Sequence, residues 1–176
     1  MIVNRESLIT VLLSLLFLIS CYGQKELYLL TQNPRLATPL EASNFWGFFE
    51  KEGISVKVDS ASSPDELINL LNFSRYSALI ADQELASRLS RLTKRWKRVC
   101  VVAVKREEGA PIKKKTYYLL VKEGLLYDTE LLVKLIKGWN YGTELLKDPA
   151  VLYYLTGERE LRGIKLLKCT GLNEDR

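Results

Sequence analysis

The side chains best placed to do chemistry follow apolar runs: the neutral hydrogen-bonding groups Gln32, Asn33 and Thr38, then Ser60, Ser62 and Ser63, and lastly the carboxylate Asp82. Each group stands just ahead of a stretch with helical spacing. Their hydroxyls and amides would therefore meet the free N–H groups of a helix start, which favour anions. Such a set suits a small polar solute, anionic or zwitterionic, rather than a reaction. Asp82 opposes an anion by its own charge. Thr38, Ser63 and Asp82 are also accounted for as helix caps, whose side-chain oxygens accept from the first free amides.

Catalysis finds little support. The 176 residues include no histidine, so the commonest general base and the commonest metal ligand are missing. A serine or cysteine nucleophile would need a lysine base, and no motif supplies one. Cys21, Cys100 and Cys169 are scattered without zinc spacing. The ten glycines form neither GxGxxG nor GxxxxGK[ST], and the carboxylates stand mostly beside lysines on helix faces, a solvated pattern. The expectation is a protein that is not an enzyme and holds no metal or cofactor. A net charge of +5 and a pI near 9.0 permit anionic partners.

The amino-terminal stretch gives those charges their context. Arg5 precedes a mostly apolar run of about a dozen residues, Leu8 to Ile19, the length of a signal-peptide core and short for a membrane span. It ends in LISC, with Cys21 after a small residue. This ending resembles the lipobox of bacterial lipoproteins, which implies lipidation at Cys21 and a membrane anchor. An ordinary cleaved signal or a short uncleaved anchor is the alternative. The sequence thus divides into a signal peptide over 1–20, a tether over 21–24, a folded domain over 25–168 and a loose tail over 169–176. Tyr22 rather than aspartate after the cysteine favours the outer membrane if the source is Gram-negative. An exported chain meets an oxidising compartment, where Cys100 and Cys169 either pair or sit as small buried side chains. Export also argues against nucleic acid as the partner of the basic run RLSRLTKRWKR, which reads as the solvated carboxyl end of a helix.

The order of elements says how the polar groups are positioned. KELYLLTQ, ISVKV, YSALIA and RVCVVAVK read as strands. Between them lie helices opened by TPLE, SPDE and Asp82. The first helix is expected to start at Thr38 as its N-cap, to bury Leu40, Phe45, Trp46, Phe48 and Phe49, and to end at Gly53. Short strand–helix alternation predicts a three-layer α/β domain of about five strands, mainly parallel, with RVCVVAVK buried on both faces. TYYLLVK is one further strand, a candidate antiparallel hairpin partner of the fourth. Asp128 and Asp148-Pro149 open two later helices. Loops at the carboxyl ends of parallel strands gather along one rim, where ligands of open α/β sheets bind. That rim collects Gln32, Asn33, Thr38, Ser60, Ser62 and Asp82.

GFFEKEGISVKV, SSPDELINLLNFSRYSALIAD and DTELLVKLIKGWNYGTELLKDPAVLYYL resemble segments of periplasmic solute-binding proteins of ABC importers, of the nitrate, sulfonate and thiamine-precursor type. The likeness runs from about Lys25 to Leu155. It implies a type 2 binding-protein fold, a small polar solute and an ABC permease as partner, in the bacterial cell envelope facing the periplasm or the outer surface. Members of the family have two lobes that trap ligand between them. Here about ten residues between Lys105 and Thr116 leave room for a hairpin and not for a lobe. The resemblance is therefore to one lobe. The alternative is a non-catalytic envelope interaction module that kept the fold and lost the solute.

Overall fold

The computed structural model describes residues 24–72, 75–107 and 113–170. The signal segment, Cys21 and the end of the tail from residue 171 lie outside the described residues. No described helix is long and apolar enough to cross a membrane.

Six strands form one sheet: β1 (Lys25–Thr31), β2 (Ile54–Ser60), β3 (Tyr76–Asp82), β4 (Trp96–Glu107), β5 (Lys113–Lys122) and β6 (Ile164–Leu166). Their spatial order is β2-β1-β3-β5-β4-β6. β1 pairs in parallel with both β2 and β3, as strand–helix–strand connections require. The mainly parallel expectation holds for that half. β5 then inserts antiparallel between β3 and β4, and β6 pairs antiparallel with the far edge of β4. The sheet is accordingly mixed. The five residues between β4 and β5 are too few for a crossover, so β5 returns antiparallel to β4, and its other neighbour is β3.

Helices cover both faces. On one lie α1 (Thr38–Phe45), α2 (Phe48–Lys51), α5 (Glu123–Tyr127), α6 (Thr129–Leu145) and α7 (Pro149–Thr156); on the other lie α3 (Pro64–Leu71) and α4 (Gln83–Leu92). The period-two alternation of β1 sorts its leucines: Leu27 and Leu29 join Leu40, Phe49, Leu135 and Trp139, while Leu30 joins Leu67, Leu85 and Leu89. Burying each such side chain contributes roughly 1.5–3 kcal/mol relative to exposure. In β4, Val102 and Ala103 are buried but Cys100, Val101 and Val104 are half-buried. The expectation of burial on both faces fails there, because Val99, Val102 and Ala103 pack into one core while only Trp96 of β4 joins the core on the opposite face.

The first helix also departs from its sequence reading. Its N-cap is Ala37, because Pro34–Ala37 already forms a 3₁₀ turn capped by Asn33, which accepts from Arg35 N at 3.0 Å. Thr38 instead donates Oγ1 to Arg35 O at 2.8 Å. The helix breaks at Gly47, whose φ of 70° is a left-handed conformation that glycine adopts without strain. The break turns Phe49 into the core and leaves Phe45 57% exposed, against the expectation that it is buried.

Two glycines let α6 lie directly on α1 and α2. A Cβ on Gly142 would stand 1.7 Å from Pro39 O, and one on Gly138 would stand 2.1 Å from the ring of Phe49. Across this contact Ser43 Oγ donates to Gly138 O at 2.5 Å. The carboxyl-terminal segment is fastened to the same body. Cys100 and Cys169 form a disulfide with Cα atoms 5.5 Å apart, so Cys169, assigned to the loose tail, is 3% exposed. Asn140 makes two bonds to the backbone of Cys169, accepting from its N at 2.7 Å and donating to its O at 3.1 Å.

Candidate functional site

The parallel registers bring three strand ends level. Thr31 stands beside Ser60, and Asp82 faces Tyr117 of β5. The loops that follow β1, β2 and β3 therefore open onto one rim, in a cleft of about 320 Å³. Gln32, Asn33, Ser62, Ser63 and Asp82 line it. Thr38 and Ser60 are not among its lining residues: Thr38 is buried behind the 3₁₀ turn, and Ser60 is still in strand β2.

The cleft contains charges that sequence reasoning missed. Lys115 and Tyr117 arrive on β5, and Glu84 and Arg88 on α4. Asp82 is 5% exposed and both of its oxygens are engaged: Oδ1 accepts from Leu85 N at 2.8 Å, and Oδ2 pairs with Lys115 Nζ at 2.8 Å. The hydrogen bond to Asp82 pushes the Lys115 ammonium above its ordinary pKa, and burial pushes the Tyr117 phenol up. Both groups therefore keep their protons at neutral pH. The Asp82 charge is compensated, so it no longer faces a ligand as a bare anion.

Helix α3 is closed in a related way. Ser63 Oγ accepts from Glu66 N at 3.1 Å, the N-cap that SPDE implied. The Glu66 carboxylate reaches back to Ser62, accepting from its N at 2.7 Å and from its hydroxyl. Those bonds hold the Glu66 carboxyl below the usual carboxylate range. A carboxylate of the chain thus takes up the Ser62 N–H and hydroxyl just ahead of this helix start, two donors that an external anion would otherwise find. The remaining neutral donors and the paired ions suit a neutral or zwitterionic solute better than a simple anion.

Lys115 could have been placed here from sequence only by knowing that β5 lies beside β3. The TYYLLVK strand is plain, but its partner is set by long-range packing. No group of three or more potential metal ligands (His, Cys, Asp or Glu) clusters among the described residues.

No family model matches the chain, and no curated protein matches it. Its structure is similar to that of a conserved Candida albicans gene product, described as defining a new family of proteins with the generic periplasmic binding protein structural fold. That match has a TM-score of 0.59 and 10% identity, and it covers 82% of this chain and 82% of the other. A protein from Bordetella bronchiseptica RB50 is similar at a TM-score of 0.55 and 9% identity, over 85% of each chain. At such identities the likeness is one of fold: a single α/β domain built like a lobe of a periplasmic binding protein.

Proposed function

We propose that the chain is an exported, membrane-tethered solute-binding-like protein that presents its rim cleft to a small neutral or zwitterionic solute, without catalysing a reaction. The observation that carries this reading is the convergence of three strand-end loops on one cleft around the buried Asp82–Lys115 pair. The binding-protein-like fold supports it. The lipobox-like LISC ending supports an anchor at Cys21, a place in the bacterial envelope and delivery to an ABC permease.

A single lobe encloses a ligand on one side, whereas tight small-molecule sites bury most of theirs, so affinity is expected to be weak. Calorimetry and thermal-shift measurements with amino acids, pyrimidines, sulfonates and nitrate test the reading. Saturable binding of a zwitterion or neutral solute that Lys115→Met abolishes is the expected result. Silence across the panel counts against a binding role.

One observation favours a second reading, that of an envelope interaction module. Phe45, Tyr153 and Tyr154 are 57%, 58% and 68% exposed, and Phe45 packs on Tyr154 with ring centroids 5.2 Å apart. This aromatic surface lies on the helical layer, while the rim is charged. Crosslinking from position 154 in whole cells separates the two readings: a discrete protein adduct supports the module, and its absence removes it.

A further inference from the structure

Beside the cleft, and sharing Asn33 with it, lies a basin of about 370 Å³ lined by Asn33, Arg35, Lys105, Arg106, Glu107, Arg162 and Ile164. Four of those side chains are cations. Glu107, the single carboxylate among these lining residues, stands opposite Lys113 in the β4–β5 ladder. Glu158 draws two of the arginines together, with Oε1 at 2.5 Å from Arg35 and 3.8 Å from Arg162.

Two features of this corner cost stability. Arg162 has a φ of 25°, the only positive value at a non-glycine position among the described residues. It sits in the turn Leu161–Ile164, where Ile164 N donates to Leu161 O at 2.7 Å, followed by Gly163 at φ 77°. Two successive positive φ values are the pattern of a primed turn, which strongly prefers Asn, Asp or Gly at its first central position. An arginine there is strained, and stability alone would favour glycine. The second feature is Glu158 Oε2, which is buried and has no hydrogen-bond partner among the described residues. The first cost sits where guanidinium groups converge; the second is an unpaired acceptor, which an anion does not relieve.

We infer that this basin is a binding site for a phosphate-type oxyanion, a free phosphate or a phosphate ester. Guanidinium forks match the oxygens of such an anion two at a time, and three arginines with one lysine compensate a double negative charge even after Glu107 and Glu158 are counted. Arg162, at a strained position, supplies one of the clamps. The site adjoins the rim cleft at Asn33 but draws its cations from other residues, and it stands whether or not that cleft holds a solute.

The test uses the full chain in mild detergent, titrated with inorganic phosphate and with glycerol phosphate against chloride at equal ionic strength, and floated with vesicles containing phosphatidylglycerol. Arg162→Gly removes the guanidinium while relaxing the backbone, so it should fold at least as stably as the parent. It should nonetheless weaken phosphate-group binding about fivefold, the upper end for an ion pair on an exposed side chain. Arg98→Ala removes an equal charge from the other end of β4 and should leave binding unchanged. Loss in the soluble arm identifies a free phosphate, and loss in the vesicle arm a lipid headgroup. No saturable binding in either arm overturns the inference, as does equal weakening by Arg98→Ala and Arg162→Gly.

Discussion

Replacing Gly142 by alanine should destabilise the protein, although alanine is the better helix former by roughly 1 kcal/mol. The new Cβ would lie 1.7 Å from Pro39 O, 2.6 Å from its C and 2.9 Å from its Cα. These are backbone atoms at the start of α1 and have no rotamer by which to retreat. Relief requires α6 to move away from α1 by about 1.8 Å, the shortfall of that 1.7 Å approach from a van der Waals contact of about 3.5 Å. Overpacking of this kind costs about 1–3 kcal/mol. The same shift stretches the bond from Ser43 Oγ to Gly138 O, now 2.5 Å, and Ser43 is fully buried, which adds about 1–3 kcal/mol. After the gain in propensity is subtracted, a net loss of about 1–5 kcal/mol follows. For a domain of this size each kcal/mol lowers Tm by about 2–4 °C. Gly124 of α5 provides the contrast, since a Cβ there meets nothing within 4 Å. Gly124→Ala should stabilise by about 0.5–1 kcal/mol. Urea denaturation of both variants reads the difference. If Gly142→Ala is as stable as Gly124→Ala, the helix contact is not as close as described.

Breaking the Cys100–Cys169 disulfide, by reduction or by Cys169→Ser, frees a link between residues 69 apart and should cost about 2–4 kcal/mol; a urea midpoint unchanged by dithiothreitol refutes this. Lys115→Met leaves the Asp82 carboxylate, 5% exposed, without its cation. Because the pair lies at a cleft wall and Lys115 is partly exposed, the loss should be about 1–2 kcal/mol rather than the 3–5 of a fully buried pair, read from denaturation at pH 7. Glu144, which holds Lys147 and Lys168 at 2.7 and 2.8 Å, has its pKa lowered to about 2 by those bonds. A carboxyl depressed in the fold contributes stability above its unfolded value of 4.5, and that contribution fades as pH falls from there towards 2. Glu144→Gln should therefore flatten the acid limb of the Tm–pH curve over that window, and an unchanged limb refutes the assignment. Glu144 is exposed, so the effect should shrink in 1 M salt.

What could be read from the sequence was mostly local. Ser63, Asp82, Asp128 and Asp148 each cap the helix that their spacing announced, with bonds of 2.8–3.1 Å to the expected amides. The strand–helix alternation through β3 produced the parallel half of the sheet, because such connections leave little choice of direction. Thr38 failed as a cap because Asn33 opens a turn one step earlier, a competition between two good caps that spacing alone does not rank. Phe45 was misplaced because a helix drawn straight through Gly47 would bury its aromatics, and a glycine inside a helical pattern marks a break only in context. The cleft was located by its loops but not by its ions. Lys115 and Tyr117 reach it across the β3–β5 pairing, which no local signal specifies.

The β4–β5 hairpin has a consequence for how this protein could be extended. Glu107 and Lys113 stand side by side as the last ladder pair of β4 and β5, at the same end of the sheet as the ends of β1 and β3. A chain that leaves after one and returns at the other breaks no strand pairing. A foreign module grafted there, such as a fluorescent reporter, would therefore sit beside the basic basin that Glu107 lines. It would sense occupancy as a change in its own freedom to move.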